Sequence, residues 1–213
     1  MQERIFKTFL EEKSKNIDVL MDSFHTYFDL ISEANKNVNL ISRKTPVQDY
    51  WTVHFLDSII PAELFDFTGK KILDFGTGGG LPGIPLKLLF PTSEMYLLDS
   101  TQKKIRAVKN IVKKLDLKEC FTIVSRLEDL DEKWENYFDF IVCRSVRILP
   151  KYKKAMFRML QNNGRIILYK SRKLDDVLQF RNYKIHDVSQ PVLGKRKIIE
   201  IMKEGEKTDK ESW

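Results

Sequence analysis

The sequence predicts an α/β fold: an open, mostly parallel seven-stranded sheet with helices on its faces and a small helical cap at the N-terminal end. Three observations predict it. From Lys71 onward short apolar runs alternate with amphipathic helical stretches, the pattern of strands joined by crossover helices. The first of those runs, Lys71-Ile72-Leu73-Asp74-Phe75, leads straight into a glycine-rich turn. Before it, apolar residues recur only at helical spacing. The expected division is residues 1–65 for the cap, 66–203 for the sheet domain and 204–213 for a polar, disordered tail.

Taken in order, Ile5, Phe6, Phe9 and Leu10 share one side of residues 2–13, a short amphipathic helix. Ile17, Leu20, Met21, Phe24, Phe28 and Ile31 carry a second helix as far as Asn35-Lys36-Asn37. Thr45-Pro46-Val47-Gln48 combines a proline suited to the first helical position with a capping box, so a third helix starts near Pro46 and carries Val47, Tyr50, Trp51, Phe55 and Ile59, with Trp51 and its neighbours expected in the core. His54 and Asp57, three apart on it, have the spacing of a polar pair that could face a ligand, the alternative being a lone surface histidine. Strands are expected at 71–75, 95–98, 121–124, 138–143, 166–169, 183–188 and 197–202. Between them lie helices over 83–90, along Ile105 to Leu115, from Pro150 to before Gly164, and near 174–181.

The loop after the first strand carries the chemistry. Gly76, Gly78 and Gly80 allow positive φ and close backbone approach, and the helix that follows should offer free N-terminal N–H groups. Leu81 stands where G-x-G-x-x-G needs its third glycine, and no Gly-Lys-Ser/Thr follows, so neither the dinucleotide fingerprint nor a P-loop is present. Asp74 beside this loop would repel a pyrophosphate and favour a ligand with a cationic end, as S-adenosylmethionine has in its ammonium and sulfonium. In such sheets ligands sit outside the carboxyl ends of the strands. Asp99, 23 residues beyond Gly76, stands at the second of these ends, where an acid meets ribose hydroxyls. After the third strand comes Arg126-Leu127-Glu128-Asp129, where a backbone N–H and an acid can read an adenine edge, and Arg144 ends the fourth.

Composition narrows the classes. The formal charge is +7, and from Arg144 to Lys173 there are ten Lys/Arg and no acid, a basic run that makes a nucleic-acid partner plausible. Cys120 and Cys143 lie in apolar runs and read as buried thiols of a reducing compartment, with no metal site. The N-terminus lacks a signal-like apolar core, and no apolar run approaches the roughly 20 residues of a membrane span, so a cytoplasmic protein without membrane contact is expected.

Several stretches together resemble one family. Asn39-Leu40, His54-Phe55-Leu56-Asp57-Ser58, Asp74-Phe75-Gly76-Thr77-Gly78-Gly79-Gly80-Leu81-Pro82-Gly83-Ile84-Pro85-Leu86, and Leu97-Leu98-Asp99-Ser100 followed by a Lys/Arg helix are similar to the RsmG (GidB) family. The resemblance covers roughly residues 35 to 202. It implies a Rossmann-like class I methyltransferase that moves the methyl group of S-adenosylmethionine to N7 of one guanine in 16S ribosomal RNA. Its cofactor contacts would fall on Gly76, Leu81, Leu127, Glu128 and Arg144, with Asp99 as the ribose acid. The chain departs from the family pattern at Cys143-Arg144-Ser145, at Ala34, and at Gly194-Lys195-Arg196-Lys197, where a histidine is usual.

The residue inventory suits that reaction. Guanine N7 offers a lone pair and no proton, so neither a base nor a nucleophile is needed, and none is evident. Arg144 is expected to orient cofactor or guanine, and Arg147, Lys151, Lys170, Arg172 and Arg196 to hold RNA phosphates. The expected partner is 16S rRNA or the small ribosomal subunit, bound by a monomer. Two other readings stay open on the sequence: a non-catalytic rRNA-binding or assembly factor retaining the fold, and a dinucleotide oxidoreductase, which Asp74 and Leu81 oppose.

Overall fold

The computed structural model describes residues 1–203; the expected tail at 204–213 lies outside the described residues. Two cap helices, α1 (Gln2–Glu11) and α2 (Ile17–Asn37), precede a composite helical segment. The segment opens with a 3-10 turn at Val47–Asp49, widens to a π-helix at Tyr50–Leu56, continues as α3 (Asp57–Ile59) and closes as 3-10 at Ile60–Glu63. The expected third helix is therefore present but irregular. Its capping box does not form: Pro46, at φ −56° and ψ 142°, is the N-cap residue, which leaves Thr45 outside the helix, and no side chain caps this end.

The sheet follows the sequence expectation closely. Strands β1 (Lys71–Phe75), β2 (Glu94–Asp99), β3 (Cys120–Val124), β4 (Phe138–Arg144), β5 (Leu160–Lys170), β6 (Tyr183–Asp187) and β7 (Lys197–Met202) run in the order β3-β2-β1-β4-β5-β7-β6. Pairs from β3 to β5 are parallel, and β7 is antiparallel to both β5 and β6. Helices α4 (Gly83–Leu89), α5 (Gln102–Lys114) and α6 (Pro150–Met159) make the crossovers. Strand order reverses between β1 and β4, so the crevice outside their carboxyl ends is the place for a ligand.

β1 shows why the centre is stable. Its side chains alternate, so Ile72 joins the core shared with the cap, α4 and α5, while Leu73 and Phe75 join the core under α6. The first core runs without a break into the cap. Phe6 meets Phe24 edge-on at 4.7 Å and Phe28 stacks on Trp51 at 5.3 Å, in a cluster that reaches Leu86, Met95 and Val108.

One expected helix is absent. Residues 174–180 form successive turns instead, tied by side chains: Asp176 accepts from the Ile148 N–H at 2.8 Å and from Lys170, and the Gln179 amide donates to Ile148 O at 2.8 Å. Side chains that bind neighbouring backbone in this way compete with helix formation.

Candidate active site

Two cavities meet at the carboxyl edge of the sheet. The smaller, about 650 Å³, lies between the β1–α4 loop, Asp99 to Thr101 after β2, Ser125 to Glu128 after β3, and Arg144 to Val146 after β4. Leu40, Ile41, Ser42 and His54 close it from the cap. Its floor is held by backbone: the N–H groups of Gly76 and Thr77 donate to Leu98 O at 2.9 and 3.0 Å, joining the loop to β2. Gly76, at φ +75°, also lets the segment after β4 come close, since a Cβ there would lie 2.5 Å from Val146 Cγ2. Asn35, near the end of α2, folds residues 38–42 over the loop by accepting from the N–H groups of Leu40 and Ile41, and Tyr27 donates to Gly79 O.

Of the expected cofactor residues, Gly76, Gly78, Leu81, Asp99, Leu127, Glu128 and Arg144 line this cavity together; Asp74 and Gly80 do not. Asp74 is fully buried, and its Oδ2 accepts from Thr77 Oγ1 at 2.6 Å and from the Gly83 N–H at 2.8 Å. It therefore caps α4 instead of facing a cationic ligand. The same bond uses the first helical N–H, and Ile84 N–H goes to Gly80 O, so the start of α4 does not present the free donors the sequence suggested. Burial raises the Asp74 carboxyl to about 7, against the pull of its hydrogen bonds and of Arg144. Gly80 is needed for packing, because a Cβ would collide with Ile84.

Asp99 sits at the rim, where Oδ1 accepts from Thr101 N–H at 2.8 Å and Oδ2 from Gly78 N–H at 3.2 Å. Glu128 gives one oxygen to Lys151 at 2.5 Å, while its other, Oε2, is buried and has no protein partner. His54 is neutral: burial, and then Arg144, push its imidazole down to about 3. The expected His54–Asp57 pair does not form. Asp57 instead bridges two arginines, Oδ2 to Arg144 Nη1 at 3.1 Å and Oδ1 to Arg196 Nε at 2.8 Å. Arg144 Nη1 also donates to Val53 O and His54 O in the π-helical stretch, whereas its Nε and Nη2 have no protein partner among the described residues.

The larger cavity, about 990 Å³, shares Arg144, Ser145 and Val146 with the first and extends over the ends of β5 and β7. Arg147, Lys170, Arg172 and Arg196 line it as expected; Lys151 does not, being turned to Glu128. Most of these cations are engaged: Arg147 with Asp175, Lys170 with Asp176, Arg196 with Asp57. Arg172 is not paired among the described residues. Across the acid-free run from Arg144 to Lys173, six of ten cations have carboxylate partners, all from outside the run. Absence of acid from a window of sequence is not its absence in space. Three contributors went unread in the sequence: Gly83, whose missing Cβ makes room for Asp74, Thr77, which bonds to it, and Asn35. Gly83 and Thr77 stood in the run from Asp74 to Leu86, and Asn35 showed only as the end of the second helix.

A model of the family described as rRNA small subunit methyltransferase G (GidB) matches residues 20–197. The chain belongs to this family. It is 34% identical over 166 residues to the ribosomal RNA small subunit methyltransferase G of Mycoplasma capricolum, covering 78% of this chain and 71% of that one. The protein of the same name from Chlorobaculum tepidum is 39% identical over 153 residues, with 70% and 68% covered. Among solved structures, a SAM-dependent methyltransferase from Aquifex aeolicus superposes with a TM-score of 0.60 over 82% of this chain and 98% of that one, at 16% identity. A tRNA (m1A58) methyltransferase from the same organism gives 0.57 over 76% and 72%, also at 16% identity. The fold is thus that of the class I methyltransferases, and the chain is an S-adenosylmethionine-dependent methyltransferase. No helix among the described residues is long and apolar enough to cross a membrane.

Proposed function

We propose that the protein methylates N7 of a guanine in 16S ribosomal RNA, with the smaller cavity holding S-adenosylmethionine and the larger one the acceptor. One observation carries the choice of acceptor atom. Every carboxylate lining the larger cavity is already engaged by a cation, Asp57 by Arg144 and Arg196, Asp175 by Arg147 and Asp176 by Lys170. None is left to take a proton. An acceptor that attacks with a free lone pair and loses no proton needs none, and N7 is such an atom.

The residues of the smaller cavity fit the cofactor. Asp99 has lone pairs beyond those given to Thr101 and Gly78 and stands where two ribose hydroxyls would donate. The orphan Oε2 of Glu128 suits an exocyclic amine, and an unpartnered buried acceptor is costly until something donates to it. When bound, the cofactor supplies an electrophilic methyl group on a sulfonium. The protein's own work is then placement and exclusion of water. Arg144, fixed on one side by Asp57 and two carbonyls, keeps Nε and Nη2 for the wall between the cavities, where they orient cofactor or guanine. Cys143 is no nucleophile, since burial pushes its thiol far up and leaves it neutral. Arg172, unpaired among the described residues, receives a phosphate of the acceptor strand. The protein works as a cytoplasmic monomer.

The test is transfer of labelled methyl from S-adenosylmethionine to naked 16S rRNA and to small subunits, both prepared without the modification. Cleavage at a single 7-methylguanosine is the expected result. Methylation of a different atom, or of neither substrate, contradicts the proposal.

A further inference from the structure

The cations left unpaired lie mostly away from the larger cavity. Helix α5 carries Lys103, Lys104, Arg106, Lys109, Lys113 and Lys114 and no acid. Lys104 approaches Asp99 at 4.0 Å. The other five are exposed, and among the described residues none makes an ion pair or a side-chain hydrogen bond. At about 100° per residue, they cover an arc of roughly 140° opposite Ile105, Val108, Ile111 and Val112. All four are buried, and Val108, Ile111 and Val112 belong to the core shared with the cap. The stripe begins at the mouth of the smaller cavity, which Thr101 and Lys104 line, and runs about 16 Å down the side of the sheet.

This charge is more available than that of the acceptor cavity. A phosphate reaching Arg147 or Lys170 must displace a carboxylate. One reaching α5 displaces only water and, on its own side, releases counterions, the effect that drives backbone binding. We infer that the exposed face of α5 is a docking surface for the phosphate backbone of the rRNA substrate, separate from the acceptor cavity, that holds the RNA alongside the cofactor mouth. The inference rests on rRNA being the substrate. An anionic membrane would feel the same charge, but the apolar side of α5 is buried in the core and has nothing to insert.

The experiment compares full-length wild type with the variant Lys103→Gln/Arg106→Gln/Lys109→Gln/Lys113→Gln/Lys114→Gln in filter binding to 16S rRNA over a salt series. At least about tenfold weaker binding near 0.1 M salt is expected, with a log–log salt slope shallower by about two or more. An unrelated RNA of equal length should lose affinity in parallel, because backbone contacts carry no sequence information. Affinity for S-adenosylhomocysteine, whose pocket these five residues do not line, should not change. If the fivefold variant folds poorly, Lys103→Glu/Lys109→Glu should move affinity and slope the same way. Where the wild type methylates rRNA, unchanged rRNA affinity and slope in the variant overturn this inference alone, as does a loss seen only in its binding to phosphatidylserine vesicles, measured alongside. A wild type that binds no rRNA overturns both this inference and the substrate reading.

Discussion

Asp74 is the residue on which the glycine loop turns, and its environment has a measurable consequence. Its folded pKa, about 7, is raised above the ordinary value of 3.8, with burial as the largest cause. The folded state therefore holds the proton more tightly than the unfolded chain. Its contribution to stability is complete below pH 3.8 and is lost as pH rises through 7. Asp74→Asn removes this dependence. Its melting temperature, relative to wild type, should rise steadily between pH 4 and pH 7 and level off above, which a melting series in matched buffers checks. His54 acts in the opposite direction: held down to about 3, it favours the fold above its ordinary 6.5 and withdraws that support as pH falls toward 3. Gly83 gives a second residue-scale prediction. A Cβ there would collide with Leu97 and lie 2.7 Å from Asp74 Oδ2, so Gly83→Ala should cost about 1–3 kcal/mol in denaturant unfolding, by overpacking and loss of the cap.

At the scale of elements, the composite segment from Val47 to Glu63 is the joint between cap and sheet. Arg144 at the end of β4 bonds to its carbonyls and to Asp57, and Tyr169 of β5 donates to Ser58 O at 2.7 Å. Asp57 is nearly buried and holds two guanidinium groups. Asp57→Ala leaves Arg144 buried without its counter-charge and should destabilise the protein by about 3 kcal/mol or more in urea unfolding. It should also lower methyl transfer, by freeing the arginine between the two cavities. Arg144→Ala should reduce turnover or cofactor affinity by about tenfold or more, the loss of a charge-assisted hydrogen bond being worth about 1.5–3 kcal/mol; kinetics together with S-adenosylhomocysteine titration reads both. What was legible here was periodicity. The apolar spacing of Trp51, Phe55 and Ile59 gave the segment its place and buried face, but not the π-helical widening, which leaves no mark in residue type. Thr45 and Gln48 suggested a capping box because they have the right spacing; the extended ψ of Pro46 decided otherwise.

For the whole molecule, strand order and the ligand edge were readable because alternation of apolar runs, one glycine loop and one acid at the end of β2 constrain an open sheet strongly. Charge placement was not, because partners such as Asp57 for Arg144 and Glu128 for Lys151 come together only on folding, 87 and 23 residues apart in sequence. The same folding that pairs six of the ten cations of the basic run leaves five of the six cations of α5 without a carboxylate among the described residues. In the function proposed above the two adjoining cavities have different tasks, and one measurement tests that division most directly: calorimetric titration of S-adenosylhomocysteine into wild type and Asp99→Ala. The predicted result is one site per chain, weakened about tenfold to a hundredfold by the substitution, with unchanged affinity for rRNA. Equal affinity for S-adenosylhomocysteine in the two proteins would contradict the placement of the cofactor between the glycine loop and Asp99.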